Sequence, residues 1–142
     1  MSINQIQDEI IEEFAFFSDW MEKYEHIISF AKHLNPMPGE SKVEENLVKG
    51  CQSQVWLTAS EENGILNFSA DSDAIITRGL VALMVRVLSG HPPKEIMESD
   101  LYFVDQIGLK EHLSPNRANG LVSMIKKMKI YALAHEAKLN NA

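Results

Sequence analysis

Val55-Trp56-Leu57-Thr58-Ala59-Ser60 and Ile65-Leu66-Asn67-Phe68-Ser69-Ala70, joined by Glu61-Glu62-Asn63-Gly64, decide how this chain folds. Val55, Leu57 and Ala59 alternate with Gln54, Trp56 and Thr58, and Leu66, Phe68 and Ala70 alternate with Ile65, Asn67 and Ser69. A period of two puts each set on one face of an extended strand. Asn-Gly accepts positive φ at both central positions of a tight turn. The pattern predicts two antiparallel strands over about 53–60 and 65–70. An isolated hairpin is marginal in water, so Leu47-Val48 is expected to add a short third strand.

Both flanks are helical. Upstream, Ile3, Ile6, Ile10, Phe14 and Phe17 recur at spacings of three and four, one face of a helix. Asp19, with Glu22 three residues on, reads as the cap of a second helix. Trp20, Tyr24, Ile27, Ala31 and Leu34 carry that helix until Asn35-Pro36-Met37-Pro38-Gly39 stops it, because proline lacks an amide hydrogen. Downstream, Asp71-Ser72-Asp73 offers capping oxygens, and Ile75, Ile76, Leu80, Leu83, Met84 and Val87 form a broad apolar face. Short helices are expected from Pro92-Pro93 to Met97 and from Leu101 to Ile107, the latter ended by Gly108. Ser114-Pro115 opens a last helix with Ala118, Leu121, Ile125, Met128, Ala132 and His135 along one face. The expectation is an α+β fold over 1–142 as a single domain, a small three-stranded antiparallel sheet packed by helices.

Composition narrows the function. The 142 residues are 45% hydrophobic and 23% charged, ordinary for a globular chain. A formal net charge of −7 argues against electrostatic nucleic-acid binding. No apolar run approaches the roughly 20 residues that span a bilayer, and the first ten residues lack the basic region of a signal peptide. The expectation is a cytoplasmic protein with no membrane and no nucleic-acid partner. The charge is uneven: residues 1–45 carry −7, residues 46–114 carry −4 and residues 115–142 carry +4. Charges of this kind ordinarily solvate helix faces; the sharper reading is a polarised molecule whose ends attract a charged protein partner.

One cysteine in the chain excludes an internal disulfide and a metal or cluster site built from several of its own thiolates. Cys51 stands in Val48-Lys49-Gly50-Cys51-Gln52-Ser53-Gln54, on a loop entering the sheet, where functional groups are often displayed. Lys49 is a candidate to lower its pKa, since the thiolate is the reactive form. A buried cysteine acting as a small hydrophobe is the plain alternative, but its neighbours are polar. A Cys–His hydrolase would need one of His26, His33, His91, His112 or His135 within hydrogen-bond reach, and none stands in a known spacing with Cys51. Trp20 and Trp56 read as core aromatics.

Gly50-Cys51-Gln52-Ser53-Gln54-Val55-Trp56 resembles the SufE family of sulfur-acceptor proteins at seven consecutive positions around the family's essential cysteine. The resemblance extends to Trp20-Met21-Glu22-Lys23-Tyr24, Asp71-Ser72-Asp73-Ala74, Arg78-Gly79-Leu80 and His112-Leu113-Ser114-Pro115-Asn116-Arg117, and is weak over 35–46 and 89–106. It implies a fold similar to that of the IscU scaffold, without the scaffold's three cysteines. It also implies a sulfur carrier for iron–sulfur cluster assembly. Cys51 takes persulfide sulfur from a cysteine desulfurase of the SufS or CsdA type, stimulates that enzyme and passes the sulfur to a scaffold complex. The pyridoxal phosphate belongs to the desulfurase, and no metal or cofactor is expected on this chain. The implied partner-binding residues are Gly50 as a hinge, Gln52, Ser53 and Gln54 beside the cysteine, Asp73 near its loop and Arg117 near the partner surface. The alternative is a protein that binds and activates a desulfurase without carrying sulfur.

Overall fold

A computed structural model of the chain describes residues 1–140. Helix α1 spans Ile3–Ala15 and α2 spans Trp20–Phe30. The hairpin follows as β1, Val55–Glu62, and β2, Ile65–Ser72. Then come α3 (Ile75–Leu88), α4 (Pro93–Glu98), α5 (Phe103–Gln106), α6 (Leu109–His112) and α7 (Pro115–Asn140).

Local chemistry accounts for most boundaries. The Ser2 hydroxyl accepts the Gln5 N–H while the Gln5 side chain accepts the Ser2 N–H, a capping box that starts α1. The Asp19 carboxylate accepts the Glu22 N–H at 2.9 Å and starts α2. The Ser114 hydroxyl accepts the Arg117 N–H at 3.3 Å just ahead of Pro115. Gly108 follows α5 at φ 80°, ending that helix as expected. Between the strands Asn63 and Gly64 take φ 54° and 81°, and register runs from Glu62 opposite Ile65 to Val55 opposite Ser72.

Two expectations about the sheet need correction. It has two strands, not three: Leu47 makes only an isolated bridge to Trp56. The chain leaves sheet geometry at once, because Lys49 and Gly50 form a turn, and the Val48 N–H to Val55 carbonyl bond of 2.8 Å is what remains of the ladder. Nor does β1 alternate at its start, since Val55, Trp56 and Leu57 are all buried. Leu47 flanks Trp56 at the sheet edge through its bridge, and Lys42 lies 5.5 Å over the Trp56 ring. Trp56 is thus a core aromatic, as expected.

The capping oxygens before α3 are also spent elsewhere. Ala74 occupies the cap position with no side-chain bond to the helix. Asp71 is buried and pairs with Arg78 at 2.8 Å and Lys42 at 3.1 Å. Burial alone would push its pKa up; hydrogen bonds from Arg78, the Ser72 amide and Lys42 override that and hold it below the ordinary carboxylate value. The pair ties the linker after α2 to the sheet and to α3. Helix α3 itself is buried over Gly79–Met84 without a break. It contacts α1, α2, β2 and α7, as a helix apolar nearly all round must.

Candidate functional site

Cys51 lies on the loop 49–54, whose ends are pinned together by the Val48–Val55 hydrogen bond. Gly50 sits at φ +94°, a conformation that L side chains rarely adopt. This turn directs the following residue toward the N-terminal half of α7. There Gly120 makes room: a Cβ on it would stand 3.3 Å from Cys51 Sγ. The thiol donates to the Gly120 carbonyl at 3.6 Å. Gly50 rests on Ser123, one helical turn further along α7.

The rest of the loop is held from two sides. Gln52 Oε1 accepts from Asn116 Nδ2 at 3.2 Å. The Gln54 N–H donates to the Asp73 carboxylate at 3.0 Å, and the Asp73 N–H returns a bond to the Gln54 carbonyl at 3.2 Å. The Ser72 hydroxyl donates to the same carbonyl at 2.8 Å. Asp73, expected near the loop, therefore fastens its exit rather than capping α3. Ser53 is half-buried, and the side chains of Gln52 and Gln54 are exposed.

Cys51 is itself half-buried, and burial pushes its thiol pKa up. The expected lowering by Lys49 is corrected: Lys49 lines a separate groove with Glu44, Glu45, Lys126 and Lys127, and desolvation prevails at the sulfur. Cys51 opens onto a cleft of about 330 Å³. Leu80, Leu121 and Met124 supply its buried apolar wall. Gln52, Ser114, Asn116 and Arg117 supply exposed polar groups. Cys51 and Arg117, 66 positions apart, are thus brought to one cleft.

No histidine lines that cleft among the described residues. His26 bonds Glu13, His112 stacks on Trp20 with ring centroids 4.2 Å apart, and His91 is buried with its carbonyl bonded to the Leu66 N–H. A Cys–His pair is therefore not assembled. Trp20 is half-buried against the core, as expected, and its indole N–H has no partner among the described residues. No group of three His, Cys, Asp or Glu side chains among those residues could hold a metal ion, and none of their helices is long and apolar enough to cross a membrane.

Sequence reasoning did not single out Ser123, nor assign Asn116 and Gly120 a place at the loop. Gly120 left a signal, since a glycine inside a helical pattern costs about 1 kcal/mol against alanine and asks for a packing reason. Asn116 and Ser123 left none, being ordinary polar residues on a helix.

Residues 8–132 match the SufE family, described as an Fe-S metabolism associated domain. An uncharacterized SufE-like protein of Rhizobium meliloti (strain 1021) is 46% identical over 127 residues, covering 86% of this chain and 91% of that protein. The SufE-like protein 1, chloroplastic/mitochondrial, of Arabidopsis thaliana is 42% identical over 132 residues, covering 92% of this chain but 35% of the plant protein. The solution structure of a hypothetical protein from Thermus thermophilus superposes with a TM-score of 0.75 at 20% identity. That likeness covers 91% of this chain and 94% of the other, and concerns the fold.

Proposed function

Because the chain belongs to the SufE family and so to Fe-S metabolism, we propose that it is a sulfur carrier whose working atom is Cys51 Sγ. The observation that carries this reading is the lone thiol held half-buried, lining a cleft, on a loop whose interior is clamped by residues distant in sequence. The sulfur donor is a persulfide on a cysteine desulfurase, which holds the pyridoxal phosphate; this chain supplies the acceptor.

At rest the half-buried thiol, its pKa raised by desolvation, is a poor nucleophile. The loop bonds to Gly120, Asn116 and Asp73 are worth roughly 0.5–1.5 kcal/mol each, so the closed loop is favoured without being locked. Docking that draws the loop out about Gly50 exposes Sγ, removes the desolvation and frees the thiolate. That thiolate attacks the outer sulfur of the desulfurase persulfide; a new S–S bond forms on Cys51, and the desulfurase thiolate leaves with the electron pair of the broken bond. With no second cysteine in the chain, the sulfur cannot be discharged as an internal disulfide and goes on to a scaffold complex. Once the bonds of the Gln52 side chain and the Gln54 backbone are released, Gln52, Ser53 and Gln54 are available to the partner's backbone, and Arg117 on the rim to an acidic group.

With a desulfurase and free cysteine, the protein is expected to raise sulfide release and to gain the mass of one sulfur atom, removable by a thiol reductant. Cys51→Ser is expected to abolish both. A serine variant that still stimulates fully would show that the protein only binds and activates the desulfurase.

A further inference from the structure

The cleft beside Cys51 is larger than sulfur storage needs. One sulfur atom takes up little more room than a water molecule, whose share of liquid volume is about 30 Å³. The cleft holds about 330 Å³, within the range of roughly 300–1,000 Å³ typical of small-molecule sites. Its lining is graded by depth: Leu80, Leu121 and Met124 are buried, Cys51, Ser53 and Thr77 are half-buried, and Ser114, Asn116 and Arg117 are exposed. Arg117 differs from the other two arginines. Arg78 is paired with Asp71, and Arg86 with Glu9 and Glu13, whereas Arg117 pairs with no carboxylate among the described residues and is exposed on the rim. A guanidinium in that state is suited to a carboxylate, which it can grip with two parallel N–H bonds.

We propose that the cleft is a binding site for a low-molecular-mass thiol bearing a carboxylate, which seats its carboxylate on Arg117 and its sulfur against Cys51. Such a molecule matches that grading, sulfur and methylene toward the deeper part and anion toward the exposed rim. The reaction rests on the carrier reading above; the binding does not. On the sulfur-loaded protein, the small thiolate attacks the outer sulfur of the Cys51 persulfide. The bond between Sγ and that sulfur breaks, its electron pair stays on Sγ, and Sγ takes up a proton from solvent. One S–S bond replaces another, so nothing is oxidised or reduced overall, and the small molecule leaves as a persulfide.

The test compares two probes of similar size, mercaptoacetate and mercaptoethanol, on protein loaded by a desulfurase, with sulfur loss followed by intact mass. Rates are compared at equal thiolate concentration and low ionic strength. Mercaptoacetate is expected to discharge Cys51 roughly fivefold to tenfold faster, the effect of one near charge pair. Arg117→Gln is expected to collapse that ratio toward one and Arg117→Lys to keep part of it. Lys94→Gln, which removes an equal charge outside the cleft, is expected to leave the ratio alone. Equal rates in the wild-type protein, or a preference that survives Arg117→Gln, would overturn the proposal. A second arm needs no sulfur loading: the free Cys51 thiol is reacted with dithiodiglycolate and with hydroxyethyl disulfide, where the same preference and the same loss in Arg117→Gln are expected. If loading of the wild-type protein fails while this arm shows the preference, the carrier reading falls and the binding site stands.

Discussion

Strand β1 has a loop at each end, and the two are built on opposite principles. The turn at Asn63-Gly64 is made by its own residues: both take positive φ, and Gly64 N–H donates to Glu61 Oε1 at 2.7 Å, three residues back. The loop at 49–54 borrows almost everything. Its thiol bonds Gly120, 69 positions away, Gln52 bonds Asn116, and Gln54 bonds Asp73. A turn stabilised locally keeps its shape whenever the hairpin forms. A loop stabilised from a distance can be released without unfolding anything, which suits the proposed carrier role, in which the sulfur is first sheltered and then delivered.

Overfilling the seat of the cysteine is expected to break this contrast most strongly. In Gly120→Val the new side chain grows into Cys51 Sγ, 3.3 Å from the ideal Cβ, and overpacking of this kind costs about 1–3 kcal/mol. The loop is expected to leave α7, with thiol alkylation accelerated tenfold or more and the hairpin intact by circular dichroism. Asp73→Ala removes the acceptor of the Gln54 N–H, an effect of about 1 kcal/mol. Alkylation is expected to quicken about threefold to tenfold, with a small loss of thermal stability.

At the other end, Gly64→Ala forces φ +81° on a residue with a Cβ, although that Cβ would meet nothing within 4 Å. The cost is backbone strain alone, about 1 kcal/mol. The melting temperature is expected to fall while Cys51 alkylation keeps its rate, because the two ends of β1 do not share contacts.

The pH dependence gives the smallest signal. The folded thiol pKa lies above its unfolded value because of burial. Its contribution to stability is therefore complete below the unfolded pKa and is lost as pH rises through the folded one. Alkylation of the wild-type protein is expected to rise with pH through a midpoint above that of an unfolded Cys51 peptide. In Gly120→Val, with the thiol in water, the midpoint is expected to fall back toward the peptide's.

Much of this molecule is legible in its sequence. Capping residues, period-two alternation and Asn-Gly act over a few residues, so Asp19, Ser114-Pro115, Gly108 and the hairpin turn declare themselves locally. The misreadings share one cause, competition from distant groups. Leu47-Val48 looks like a strand, but the turn at Lys49-Gly50 cuts its ladder to one bridge. Asp73 looks like a helix cap, but the Gln54 amide takes its carboxylate. Lys49 neighbours the thiol in sequence, yet it lines another groove.

Residue types and their short spacings suffice for the helical and extended segments, the single thiol and, through seven consecutive residues around Cys51, the family. A linear text records both. That Cys51 rests against Gly120, that Arg117 shares the cleft and that the Cys51 thiol pKa is raised rather than lowered follow from the folded arrangement alone. Burial and approach depend on what the rest of the chain places nearby, and at residue 51 that is a helix beginning 64 positions later.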